Sequence, residues 1–164
     1  MNGQSNIEFE FGVPIPGEIL ARERWVQTAI KRLPDVAPLV PSEIFGRIAP
    51  LVVDLGCGNG RFAVSSAVRR PEFDHLGIDI LPVVIRYATR RGNQRGLSNL
   101  RFAVCGGYEF LERWLAPASV RELHIYHPQP YRDGTRQERR LITPSFLALA
   151  HRVLEPGGTL FLQT

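Results

Sequence analysis

Lysine is almost missing from this chain: of its 20 basic residues, all but Lys31 are arginine. Arginine is always charged and binds phosphate through two parallel hydrogen bonds. The formal net charge of +4 therefore admits an anionic partner, nucleic acid included. Cysteine is nearly as scarce. Cys57 and Cys105 are too few for a disulfide framework or a zinc site, and at interior strand ends such thiols pack as small hydrophobes. The first residues, Met-Asn-Gly-Gln-Ser-Asn-Ile-Glu, have neither a basic stretch nor an apolar core, so they do not read as a secretory signal. No apolar run approaches the roughly 20 residues that a membrane-spanning helix needs. A reduced, cytoplasmic chain with no membrane partner is the expectation. What is present suits one folded domain: 164 residues, 44% of them hydrophobic, suffice for a real core.

The informative stretch is Leu51-Val-Val-Asp-Leu-Gly-Cys-Gly-Asn-Gly60. Its apolar start reads as a buried parallel strand. Three alternate glycines follow, Gly56, Gly58 and Gly60, and Arg61 to Arg69 suit a helix. Glycines between strand and helix let backbone approach a nucleotide without a Cβ in the way; the competing reading is a turn with glycines for geometry alone. The G-x-G-x-G spacing, with Asp54 two positions before it, is not a pyrophosphate cradle, which has no use for a carboxylate. A carboxylate suits a cationic ligand. This combination resembles the first motif of class I S-adenosylmethionine-dependent methyltransferases.

Residues 1 to 17 read as an extended or mobile arm, and Glu18 to Leu33 carry a helical apolar face. Pro34, Pro38 and Pro41 then break the chain, and Ser42–Phe45 suits a short helical turn. We expect residues 1–49 to form an N-terminal arm and helix packed on a domain over residues 50–164, with Arg22, Arg24, Lys31 and Arg32 as alternative nucleic-acid contacts. The stretch from His75 to Ile80 reads as a second strand. Its Asp79 lies 21 residues past Gly58, the separation at which an acidic residue accepts hydrogen bonds from ribose hydroxyls. A helix over Pro82–Arg95 follows, with Val83, Val84, Tyr87 and Ala88 expected inward. Arg86, Arg90, Arg91 and Arg95 form a basic stripe, either solvated or facing RNA. Further strands are expected at Leu100–Cys105, Val120–Tyr126 and Thr159–Thr164, with helices at Tyr108–Leu115 and Thr143–Leu154 between them. This alternation predicts an α/β fold, a Rossmann-like, doubly wound, mainly parallel sheet with helices on both faces. Ligands in such sheets sit at the carboxyl ends of the strands, where Asp54, Asp79, Gly106 and His127 all fall.

From about Phe45 to Thr164 the chain resembles the tRNA (guanine-N7-)-methyltransferase family. The matching stretches are Asp54-Leu-Gly-Cys-Gly-Asn-Gly60, Leu76-Gly-Ile-Asp-Ile80, Gly96-Leu-Ser-Asn-Leu-Arg101, Pro128-x-Pro130, Arg139-Arg140-Leu141, Pro144-Ser-Phe-Leu147 and Val153-Leu-Glu-Pro-Gly-Gly158. The resemblance implies the class I methyltransferase fold, its last strands absent here, and S-adenosylmethionine as cofactor. Asp54, Gly56, Cys57, Gly58, Gly60, Asp79, Ile80, Gly106 and Gly107 would hold that cofactor. It implies tRNA as partner, facing His127, Gln129, Tyr131, Arg132, Arg136, Arg139 and Arg140, with Gln129 in the catalytic place.

The departures lie in the substrate loop. Where the family has Phe-Pro-Asp-Pro-Trp, this chain has His127-Pro-Gln-Pro-Tyr131, and Gly106-Gly107 stands where the third strand usually closes on an acid. Two alternatives follow: a methyltransferase for another substrate, small molecule or protein, and a non-catalytic RNA-binding relative. The chain ends where the family continues past the fifth strand: either it is a truncated version, or that strand is an edge that pairs with a second copy.

Overall fold

The computed structural model describes residues 6–128 and 140–164. In chain order the elements are β1 (Phe9–Glu10), β2 (Val13–Pro14), α1 (Pro41–Phe45), β3 (Leu51–Leu55), α2 (Arg61–Arg69), β4 (Asp74–Asp79) and α3 (Pro82–Gln94). Then come β5 (Leu100–Val104), α4 (Gly107–Glu109) running into a π-helical turn at Phe110–Trp114, β6 (Val120–Tyr126), α5 (Pro144–Val153) and β7 (Leu154–Gln163). Strands β3 to β7 form one parallel sheet in the order β5-β4-β3-β6-β7, while β1 and β2 make a small antiparallel hairpin. The order reverses beside β3, so the chain winds outward on both sides of it and opens a crevice at its carboxyl end.

β3 is buried at all five positions, the pattern of a strand covered on both faces. On one face Val53, Leu55, Ile78, Leu123 and Ile125 pack against Phe110, Trp114 and Phe146. On the other, Leu100 and Phe102 meet Ala63, Ala67, Ile85 and Ala88 of α2 and α3. α5 starts at Thr143, whose hydroxyl caps it by accepting the Phe146 amide at 3.1 Å. The turn Glu155-Pro-Gly-Gly158 bulges out of β7, and β6–β7 pairing resumes in a new register at Thr159.

Several expectations are corrected. Residues 18–33 form no α-helix; only a 3₁₀ turn appears, at Arg22–Arg24. The amides of this segment bond to partners far along the chain: Leu20 to the Gln94 carbonyl, Val26 to that of Asn93, and Ile30 to that of Phe102. Thr28 fills the groove of α3, its Oγ1 donating to the Thr89 carbonyl and its amide to Asn93 Oδ1. Those tertiary bonds satisfy the backbone that a helix would otherwise satisfy. The described part of the arm before it is extended and folds back as the β1–β2 hairpin. In α3 the buried residues are Ile85, Ala88 and Gly92, whereas Val83 and Tyr87 point outward. The helix turns its small residues inward because Thr28 lies against Gly92, where a Cβ would sit 2.9 Å from Thr28 Oγ1.

Candidate functional site

The site is built where β3 and β4 end. After Leu55 the chain crosses to β4, the amides of Gly56 and Cys57 both donating to the Ile78 carbonyl. Asp79 then ties the two sequence signals together: its Oδ2 accepts the Gly58 amide at 3.0 Å and its Oδ1 the Leu81 amide at 2.9 Å. A carboxylate has about four lone-pair sites, so two stay free for hydroxyl donors. The three glycines do different work. Gly56 (φ +74°) and Gly58 (φ +54°) are left-handed, and a Cβ there would meet nothing within 4 Å; they border open space. At Gly60 a Cβ would collide with Ala88 Cβ at 2.7 Å and Phe102 Cζ at 2.8 Å, so that glycine serves the packing of α2 on α3 and β5.

That open space is a cleft of about 390 Å³. Of the residues assigned to the cofactor from sequence, Gly56, Asp79, Ile80, Gly106 and Gly107 line it. Gly58 adjoins through Asp79. Asp54 sits near the end of β3, 3% exposed, and among the described residues its carboxyl has no hydrogen-bond partner. Burial, with the Asp79 charge nearby, pushes its carboxyl up to about 7 from an ordinary 3.8. Cys57 is buried beside Gly77, away from the cleft, and burial raises its thiol well above the usual range, so the group is neutral. Cys105 lines the cleft as a thiol raised to about 11 by burial.

Of the substrate set, His127 lines the cleft, exposed, in a left-handed conformation (φ +52°), its amide bonded to the Gln163 carbonyl. Arg140 borders an adjoining depression with Gly106, Gly107 and Thr143. Gln129, Tyr131, Arg132, Arg136 and Arg139 lie outside the described residues. The basic stripe of α3 divides. Arg91 and Arg95 are bound by Glu8 and Glu10, while Arg86 and Arg90 are exposed with no partner among the described residues.

Tyr126, Leu81 and Leu141 also line the cleft, outside the set expected from the sequence, as do the apolar strand ends Leu55, Ile78 and Ile125. Tyr126 is braced: its hydroxyl lies 2.8 Å from His124 Nδ1, and His124 Nε2 lies 2.9 Å from Glu122 Oε2. Arg70 holds both oxygens of that glutamate, at 2.8 and 2.9 Å. Burial lowers the His124 pKa, so the ring is neutral at pH 7, and the Tyr126 phenol is raised, chiefly by burial. The signal was present in the alternation Glu122, His124, Tyr126, three polar groups on one face of a central strand.

Comparison with known proteins agrees with this geometry. Residues 48–164 match the family described as "Putative methyltransferase". The tRNA (guanine-N(7)-)-methyltransferase of Alcanivorax borkumensis is 32% identical over 140 residues, 85% of this chain and 58% of that protein. The enzyme of the same name from Halorhodospira halophila is 36% identical over 121 residues, 74% and 52% of the respective chains. The chain thus spans about half the length of the curated relatives it matches. Among solved structures, the antibiotic-resistance methyltransferase Kmr superposes with a TM-score of 0.55 at 21% identity, over 76% of this chain and 58% of its own. Geranyl diphosphate C-methyltransferase from Streptomyces coelicolor, solved with S-adenosyl-L-homocysteine, gives 0.52 at 21% identity, over 72% and 39%. Both likenesses concern the fold, the Rossmann-like parallel sheet expected from the sequence.

Proposed function

Because the chain belongs to the tRNA (guanine-N7-)-methyltransferase family, we propose that it is an S-adenosylmethionine-dependent methyltransferase acting on guanine N7 of tRNA. The observation that carries the reading is the cradle of Gly56 and Gly58, open on its outer side and bonded through Asp79 to the end of β4. Its residues fit the cofactor. The free lone pairs of Asp79 would accept ribose hydroxyls, and Ile80 and Leu81 would offer apolar surface to an adenine ring. Asp54, at the end of β3, would ionise against an ammonium or a sulfonium and balance its charge. When bound, the cofactor supplies an electrophilic methyl on a positively charged sulfur.

Guanine N7 carries a lone pair and no proton, so the protein needs no general base. Its task is orientation, worth about 7–11 kcal/mol where both reactants are well held. His127 stands at the cleft beside the start of the substrate loop. Gln129, in the place of the family's aspartate, would accept a hydrogen bond from the guanine edge through its carbonyl oxygen. Tyr131 offers a ring for stacking, and Arg132, Arg136, Arg139 and Arg140 hold phosphates. Arg86 and Arg90 extend this basic surface along α3. In this reading the reaction takes place in the cytoplasm, residues 50–164 serve as the cofactor-binding domain, and β7, at the edge of the described sheet, is where two copies of this chain would pair. Among the described residues no helix is long and apolar enough to cross a membrane.

The test is transfer of a labelled methyl group to unmodified tRNA, with the modified base identified by nucleoside analysis. 7-Methylguanosine is the expected product. Cofactor binding without salt-dependent tRNA binding would point to another substrate, and tRNA binding without transfer to a non-catalytic relative.

A further inference from the structure

We propose that the β1–β2 hairpin is a latch on the cofactor loop, in which Glu10 and Arg91 are positioning residues that fix the glycine turn through Asn59. This rests on the reading of Gly56 and Gly58 as the cofactor cradle. Asn59 lies between two glycines, both with left-handed backbone (φ +54° at Gly58, +78° at Gly60). Glycine restricts its backbone least of all residues, so this is the part of the turn least able to hold its own shape.

The structure grips Asn59 at both ends. Its side-chain amide donates to Glu10 Oε1 at 2.8 Å, and its carbonyl accepts Arg91 Nη1 at 3.1 Å. Arg91 Nη2 also reaches Glu10 Oε1, at 2.9 Å, which closes the three residues into a ring of hydrogen bonds. Glu8 backs the ring, accepting Arg91 Nε at 2.9 Å and Arg95 Nη2 at 3.0 Å, and Arg61 adds a longer contact to Glu10 at 3.6 Å. These are not surface pairs: the side chains of Arg91 and Glu10 are 12% and 17% exposed.

Packing anchors the hairpin only at its end, where Ile15, its amide bonded to the Glu8 carbonyl, is buried in the core with Val64 and Ala67; the turn itself is exposed. Phe9 is 64% exposed and Phe11 95%. The segment behind it is anchored separately, through Leu20, Val26, Thr28 and Ile30 on α3 and β5. Besides Ile15, the hairpin offers the domain its acids, and Glu10 is the one that reaches the loop carrying Gly58. With the ring intact, the Gly58 amide is presented to Asp79 before the cofactor arrives, so binding does not have to order the turn.

The test is calorimetric titration of S-adenosylmethionine into the whole chain and its Glu10→Ala, Glu10→Gln and Asn59→Ala variants, with hydrogen exchange over residues 56–60. Glu10→Ala should weaken binding about tenfold, the size of one charge-assisted hydrogen bond, and speed exchange in the turn. Glu10→Gln, which keeps an acceptor oxygen, should recover part of the loss. Glu10→Ala combined with Asn59→Ala should lose no more than either alone, because both cut the same ring. If the wild type binds and all variants bind equally with unchanged exchange, the latch is wrong. Additive losses in the double variant would overturn it too. If the wild type itself does not bind, it is the cofactor reading that fails, and exchange in the turn still decides the latch. Should Glu10→Ala not fold, Glu10→Gln and Asn59→Ala carry the comparison.

Discussion

Asp54→Asn should make the free protein more stable at alkaline pH while removing what the cofactor site needs. Asp54 is buried, has Asp79 nearby, and holds its proton up to about pH 7, against 3.8 ordinarily. A carboxyl whose folded pKa lies above its unfolded one contributes stability that is whole below the unfolded value and lost as pH rises through the folded one. The gap of about three units, at 1.36 kcal/mol each, sets a ceiling of about 4 kcal/mol on the penalty carried above pH 7. Asparagine cannot ionise and escapes it. Urea unfolding should find wild type and variant nearly equal at pH 4, with the variant ahead by a few kcal/mol at pH 8.5. Adding S-adenosylmethionine should narrow the alkaline gap by stabilising the wild type alone, by about 2.7 kcal/mol at a hundredfold excess over Kd. A variant less stable than wild type at pH 8.5, or a difference that does not change with pH, would refute the reasoning.

The two kinds of glycine in the turn should separate in a pair of variants. Gly60→Ala should cost about 2–5 kcal/mol in thermal or urea unfolding, since a left-handed backbone and two collisions act together. Gly58→Ala should cost only about 1–2 kcal/mol in stability, yet lose cofactor binding measured by calorimetry. Replacing Arg86 and Arg90 by glutamate should leave the fold's melting temperature nearly unchanged. It should also reduce the salt slope of tRNA binding, measured by filter retention, by roughly two counterions. Thr143→Ala, which removes the α5 cap, should lower unfolding free energy by about 1 kcal/mol.

The sheet was legible because its signals are local. Leu51-Val-Val, His75-Leu-Gly-Ile and Val120 to Tyr126 are apolar or alternating runs bounded by turns, and the strands fall there within a residue or two. Gly58 and Asp79, chosen by spacing, prove to be hydrogen-bonded to each other. What escaped was non-local. The apolar spacing of residues 18–33 suits a helix, but the acceptors offered by Gln94, Asn93 and Phe102 take its amides instead. Arg91 and Arg95 read as a solvated stripe because the glutamates that bind them stand some 80 positions earlier. Gly60 reads like its two neighbours, and only the arrival of Ala88 and Phe102 beside it reveals a packing role. The phase of α3 was misjudged because its large residues, Val83 and Tyr87, lie outward while Gly92 marks the buried face.

The measurement closest to the central claim is calorimetric titration of S-adenosylmethionine into the chain, with Asp79→Ala alongside. Micromolar binding at one site is expected, lost when Asp79 no longer holds the Gly58 amide and is no longer there to accept the ribose hydroxyls. Absence of binding by the wild type, or equal binding by the variant, would contradict it.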